Sequence, residues 1–343
     1  MNYIYKNLKG IFLCFIMSLP CYFLGKIFPI IGGAVLGILL GMIVGVIIKD
    51  KKTYELGIKF TSKKILQYAV ILLGFGMDLN IVMQTGKESL PIIILTISTS
   101  LLISYILYKK FGISEKISIL VGVGSSICGG SAIAATAPVV DASEGEVSQA
   151  ISVIFFFNVL AALIFPTIGY MLGFSTTSGN AFGIFAGTAI NDTSSVTAAA
   201  STWDGLYNLG TQTLNKAVTV KLTRTLAIIP IILIIAYFRT KKNTIDNIEK
   251  VSIRSVFPTF ILYFILASII TTISLKFGVG MEVFMPLKEL SKFFIVMAMF
   301  SIGFNTNIIK LIKTGGKPLF MGFCCWLGIS SVSLIMQHIL NLW

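Results

Sequence analysis

Two stretches rich in small and hydroxylic residues hold most of the chemistry available to this chain. The first, GVGSSICGGSAIAATAPVV, begins at Gly122 and spans about Val121–Val139. The second, GTAINDTSSVTAAAS, is Gly187–Ser201. Both lie in apolar surroundings, and both are poor lipid-facing helices. Glycine weakens a helix and allows close backbone approach. Irregular backbone at membrane depth is tolerated only inside protein or beside a water-filled cavity. Ser125, Ser126, Ser131, Thr193 and Ser194 could offer hydroxyls, and Gly129 and Gly130 could expose backbone amides, so all seven are candidate contacts for a small anion. Asp192 is an ionisable group near the middle of an apolar segment, a costly position that favours function. With Asn191 it is the candidate for coupling to H⁺ or Na⁺. Lys221 and Arg224 follow, three residues apart and so on one helix face. Arg224 could give an anion a full charge and a planar fork. Counted back from Arg239, Arg224 should lie nearer the outer side than the midplane, and Lys221 could snorkel outward. The competing readings are two tightly packed Gly/Ala/Ser helices and an Asp192–Arg224 ion pair.

The two stretches also resemble each other. Shifted by 63 residues, Ile127–Ile133 falls on Ile190–Val196. Paired broken segments are the usual pointer to the central site of a transporter. Enzymatic chemistry finds little support. There is no HExxH, GxSxG or nucleotide-binding P-loop. His338 is the lone histidine, which excludes a His-rich metal site, and Cys128 has no base nearby in sequence. No cofactor is expected.

The elements that must position these residues are set by composition. Of 343 residues, 55% are hydrophobic and 12% charged, and mean hydropathy is +0.91. Soluble domains carry about 25% charged residues. The sequence predicts an all-α polytopic membrane protein forming a single domain over 1–343. Apolar runs near 20 residues exclude a β-barrel. The net charge of +13 marks cytoplasmic loops rather than nucleic-acid binding. The five cysteines sit in apolar runs, as reduced, buried residues do.

About eleven crossings are expected: 11–28, 30–48, 65–83, 90–108, one from near 117, 150–172, 181–201, 210–238, 256–275, 293–309 and 318–340. Basic loops at about 49–64 and 239–255, and at Lys310–Lys317, place the N-terminus in the cytoplasm. Lys51, Lys242 and Lys313 are then cytoplasmic, while Glu144 and Trp343 face out. Gly32, Gly33, Gly37, Gly41 and Gly45 predict close helix packing, or less directly a homodimer seam. GMDLNI from Gly76 reads like GFNTNI from Gly303, and Thr85-Gly86 like Thr314-Gly315. This suggests an inverted repeat, with repeat 1 at about 30–172 and repeat 2 at about 181–341.

SSICGGSAIAATAPVV, GTAINDTSSVTAAA, the KLTR of Lys221–Arg224 and AMFSIGFNTN…KTGGKPL together resemble the sulfate exporter family of conserved bacterial membrane proteins. The resemblance runs from about the second span to the C-terminus. It implies an inner-membrane secondary transporter of sulfate or a sulfonate-like anion. It also implies distant kinship with sodium/proton antiporter and bile-acid symporter folds, with two broken helices in the core. Relatives commonly carry His where this chain has Asn191, which leaves Asp192 alone to titrate. A cation-coupled carboxylate transporter and an anion channel are the alternatives.

Overall fold

The computed structural model describes residues 2–27, 33–48, 51–228, 230–231, 234–235, 259–305 and 316–343. Among the described residues the chain is helical, without strands. Five helices there are long and apolar enough to cross a bilayer. These are α1 (Asn2–Ile27), α5 (Leu79–Phe111), α8 (Glu144–Met171), α12 (Thr259–Lys276) and α14 (Gly316–Ile339). The shorter apolar α2 (Gly33–Ile47) joins them. The remaining elements are α3 (Lys52–Phe60), a π-helical turn (Thr61–Ile65), α4 (Leu66–Gly74), α6 (Glu115–Ser126), α7 (Gly130–Thr136), α9 (Asn180–Ala189), α10 (Thr193–Tyr207), α11 (Gln212–Thr225), a 3₁₀ turn (Met281–Phe284) and α13 (Met285–Asn305). The basic loop at 239–255, Lys310 and Lys313, and the second repeat copy beyond Asn305 lie outside the described residues.

Several boundaries differ from expectation for local reasons. The span expected at 65–83 ends at Gly74. Asp78 then starts a new helix, accepting a hydrogen bond from the backbone N–H of Asn80 at 2.7 Å, which answers one orphan donor of the first turn. Helix α5 runs on through Pro91 to Gly112, whose φ of +57° ends it, so the loop expected at 84–89 is helical. α8 begins six residues before the expected Ala150. Ser143 and Glu146 form a capping box at its start.

The helices pack as two bundles. In the first, α2 lies against α13 with glycines at the contact. A side chain at Gly41 or Gly45 would meet the backbone of Phe300 or Phe304, and one at Gly303 the carbonyl of Ile38. The α2 glycine face is therefore filled within the chain and is not free as a homodimer seam. Helices α4 and α12 join this bundle, as do α1 and α3: Ser291 donates to Ala69 O at 2.6 Å and Ser268 to Gly74 O at 3.3 Å. The second bundle gathers α5 to α11 and α14. Here Phe182 stacks on Trp203 at 4.2 Å and Phe165 on Trp326 at 5.2 Å. A buried carboxylate helps order this bundle. Asp204 near the end of α10 accepts from the backbone N–H groups of Thr213 and Leu214, both at 2.9 Å. It thereby supplies the start of α11 with the negative charge that a helix N-terminus favours, and α11 carries Lys221 and Arg224.

Candidate functional site

Both small-residue stretches are broken helices, and they break at equivalent places. α6 ends at Ser126 and α7 starts at Gly130; α9 ends at Ala189 and α10 starts at Thr193. These ends match at the 63-residue offset read from the sequence. Gly129 holds a φ of +71°, which only glycine adopts readily, whereas its counterpart Asp192 is extended. The breaks touch: a Cβ on Gly129 would lie 3.3 Å from Asp192 Cβ.

Lys221 and Arg224 tie the breaks together. Lys221 Nζ donates to the carbonyls of Ile127 at 2.6 Å and Ile190 at 3.0 Å, an equivalent pair. Arg224 donates from Nη2 to Ser125 O at 2.8 Å and from Nη1 to Thr188 O, a second equivalent pair. Its Nε reaches Ser126 O at 2.7 Å, and Nη1 also reaches Ile190 O at 3.4 Å. Both side chains are fully buried. The last carbonyls of a helix have no partners within it and carry about half a negative charge. Two such ends meet here and take two cations. Lys221 therefore does not snorkel outward. Among the described residues, no carboxylate lies within ion-pair distance of Arg224, so the Asp192–Arg224 bridge is absent.

Asp192 instead caps α10. Its Oδ1 accepts from Ser195 N and its Oδ2 from the Ser194 hydroxyl, each at 2.8 Å. Asn191 donates its backbone N–H to Asn158 Oδ1 on α8 at 3.2 Å. The Ser126 hydroxyl turns back to Val123 O at 3.0 Å. Ser131 does not join the crossing, because the first turn of α7 leaves it on an exposed face. Thr193 is half-buried beside the cap. Ser125 Oγ, Asn158 Nδ2 and Asn191 Oδ1 are buried and have no partner. Asn158 was missed from the sequence. Its signal was present: it is the lone amide in the otherwise apolar run FFFNVLAALIF.

The close approach belongs to Gly129, not to Gly130. A Cβ on Gly130 would meet only Phe155, at 3.7 Å. A bulky side chain at Gly130 would therefore not probe the contact between the two breaks. Gly129→Ala should destabilise the protein by about 1–2 kcal/mol, from the left-handed backbone and the crowded Asp192. Gly130→Ala should be neutral or stabilising, since helix propensity alone favours alanine by up to about 1 kcal/mol. Thermal melting of the two purified variants checks this, and equal melting temperatures would refute it.

Known proteins align with this chain over nearly all of its residues. A family model described as Conserved hypothetical protein 698 matches residues 9–322. The UPF0324 membrane protein FN0533 of Fusobacterium nucleatum is 56% identical, covering 98% of this chain and 99% of its own. A UPF0324 membrane protein of Streptococcus mutans is also 56% identical, covering 99% of both chains. SAG1125 of Streptococcus agalactiae, another UPF0324 membrane protein, is 55% identical over 98% of this chain and 99% of its own. No solved structure matches. Membrane-spanning helices, a match over most of its length and relatives of equal extent together place this chain in the conserved hypothetical protein 698 family, that of the UPF0324 membrane proteins.

Proposed function

We propose that the protein is a secondary active transporter of a small anion, working by alternating access around the crossing of α6–α7 with α9–α10. One observation carries this reading: two helices broken at equivalent points share one pair of buried cations. Unwound backbone and facing helix ends at the core of a membrane protein are the usual form of a transporter's central site. Sulfate or a sulfonate-like anion is the class implied by the family resemblance. The family resemblance implies a bacterial inner membrane, and the basic loops favour an N-terminus in the cytoplasm. Asp192 is the coupling group, because it is the carboxylate at the crossing.

The test is flux of radiolabelled sulfate and of a short carboxylate into proteoliposomes, under imposed H⁺ or Na⁺ gradients. Asp192→Asn should keep the fold, since asparagine caps a helix about as well as aspartate, and should abolish the acceleration by the gradient. A gradient response unchanged in Asp192→Asn would remove Asp192 from the mechanism. Flux of wild-type protein that no gradient alters, at rates beyond alternating access, would favour a channel. Uptake of the carboxylate alone would favour the carboxylate reading.

A further inference from the structure

The crossing contains three buried polar atoms with nothing to bind. Asn158 Nδ2 can only donate, Asn191 Oδ1 can only accept, and Ser125 Oγ can do either. Each of the three residues is about 1% exposed. A buried polar group without a partner costs about 1–3 kcal/mol, so three at one place point to a ligand. All three residues belong to the two breaks or to the helix that holds them: Ser125 lies at the end of α6, Asn191 lies in the α9–α10 break, and Asn158 on α8 reaches both breaks. Asn158 Oδ1 holds the Asn191 backbone, and Asn158 Nδ2 lies 3.6 Å from where a Cβ of Gly129 would be. Arg224 bonds both the carbonyl of Ser125 and that of Ile190, the residue before Asn191.

Charge narrows the class. Lys221 and Arg224 bring two positive charges. The C-termini of α6 and α9 each offset about half a charge, and the Asp192 carboxylate offsets about one more, itself eased by the α10 N-terminus. What remains is the roughly half positive charge of the α10 N-terminus, which suits a singly charged ligand better than a dianion. The free donor Asn158 Nδ2 turns away a cation, so the coupling ion does not bind at these three atoms. The free hydrogen-bond groups narrow it again: the ligand must accept from Asn158 and donate to Asn191, and it can do either with Ser125.

We propose that the crossing binds a singly charged oxyanion that carries its own hydroxyl, the class of bicarbonate and hydrogen sulfite, with Asn158 Nδ2 and Ser125 Oγ donating to it and Asn191 Oδ1 accepting from it. This rests on the transport reading and, at that same site, favours a singly charged anion over the sulfate dianion that the family resemblance implies. Lys221 and Arg224 act from behind, through the carbonyls they hold.

The test is thermal stability of the purified full-length protein in detergent, titrated with bicarbonate, nitrate or sulfate at equal ionic strength. A ligand that binds the folded state raises the melting temperature. Bicarbonate should stabilise most. Nitrate, which has the charge but no hydroxyl, should do so less, and sulfate should add nothing. Asn158→Asp keeps the oxygen that accepts from Asn191 and replaces the donor by a repelling oxygen. It should lose bicarbonate affinity by about tenfold or more. Should that variant fail to fold, Ser125→Ala replaces it, with an expected loss of about threefold to tenfold. Sulfate stabilising as well as bicarbonate, or bicarbonate binding unchanged in the variant measured, overturns this assignment and leaves the transport reading standing. No stabilisation by any of the three anions also overturns it, and the proteoliposome flux then decides the transport reading separately.

Discussion

Arg224→Ala is expected to destabilise the protein by more than about 3 kcal/mol, the scale seen when a buried charge partner is removed. The guanidinium donates to the carbonyls of Ser125, Ser126, Thr188 and Ile190. Those carbonyls end α6 and α9, have no helical partners and are sealed from water. Removing the donor leaves the carbonyls of Ser125, Ser126 and Thr188 unmet, with Lys221 still on Ile190, and brings two negative helix ends together. Arg224→Lys should fall between, because an ammonium lacks the fork that spans both helices. Asp192→Asn should not rescue Arg224→Ala, since the two side chains are not paired. Melting of the purified variants measures all three. A loss below about 1 kcal/mol in Arg224→Ala, or recovery in the double variant, would show that the guanidinium serves something other than these carbonyls.

The same residues show what the sequence could and could not reveal. The likeness of Ile127–Ile133 to Ile190–Val196 was legible because a helix break needs small and capping residues at set positions, and composition records that need. The break points follow it to the residue. The partners of Lys221 and Arg224 were not legible. They are backbone carbonyls, which every residue has, so no side chain announced them and a carboxylate seemed the natural partner. Gly129 and Gly130 look alike as letters. Only the fold shows which carries the positive φ and faces Asp192. Pro91 read as the opening of the span at 90–108, because proline suits the first turn of a helix, yet α5 already runs through it from Leu79. The boundary lies instead at Asp78, whose capping carboxylate was legible. The apolar spans were clear from composition. The partner of each span was not, because lipid-facing and protein-facing apolar residues are the same residue types.

Gly303→Ala is expected to be the most damaging alanine substitution on the α2–α13 seam, at the upper end of the roughly 1–3 kcal/mol typical of overpacking, or beyond it. A methyl group there would enter the carbonyl of Ile38, and backbone cannot rotate away as a side chain can. The helices must separate, which forfeits the close contacts that Gly37, Gly41 and Gly45 make with the α13 backbone. In a bilayer that loss is not repaid by apolar burial, because helix association there rests on close packing. The gain in helix propensity, about 1 kcal/mol, is too small to compensate. Gly145→Ala is the matched control. It lies in the first turn of α8 with nothing within 4 Å of the added carbon, so it should be neutral or slightly stabilising. Opposite signs for two identical chemical changes would separate packing from propensity. Gly41→Ala should add less than its own cost to Gly303→Ala, because once the seam has opened the second methyl meets space, and neighbouring sites on one seam are not additive. Full additivity, or a neutral Gly303→Ala, would mean that the two helices are not held at this distance.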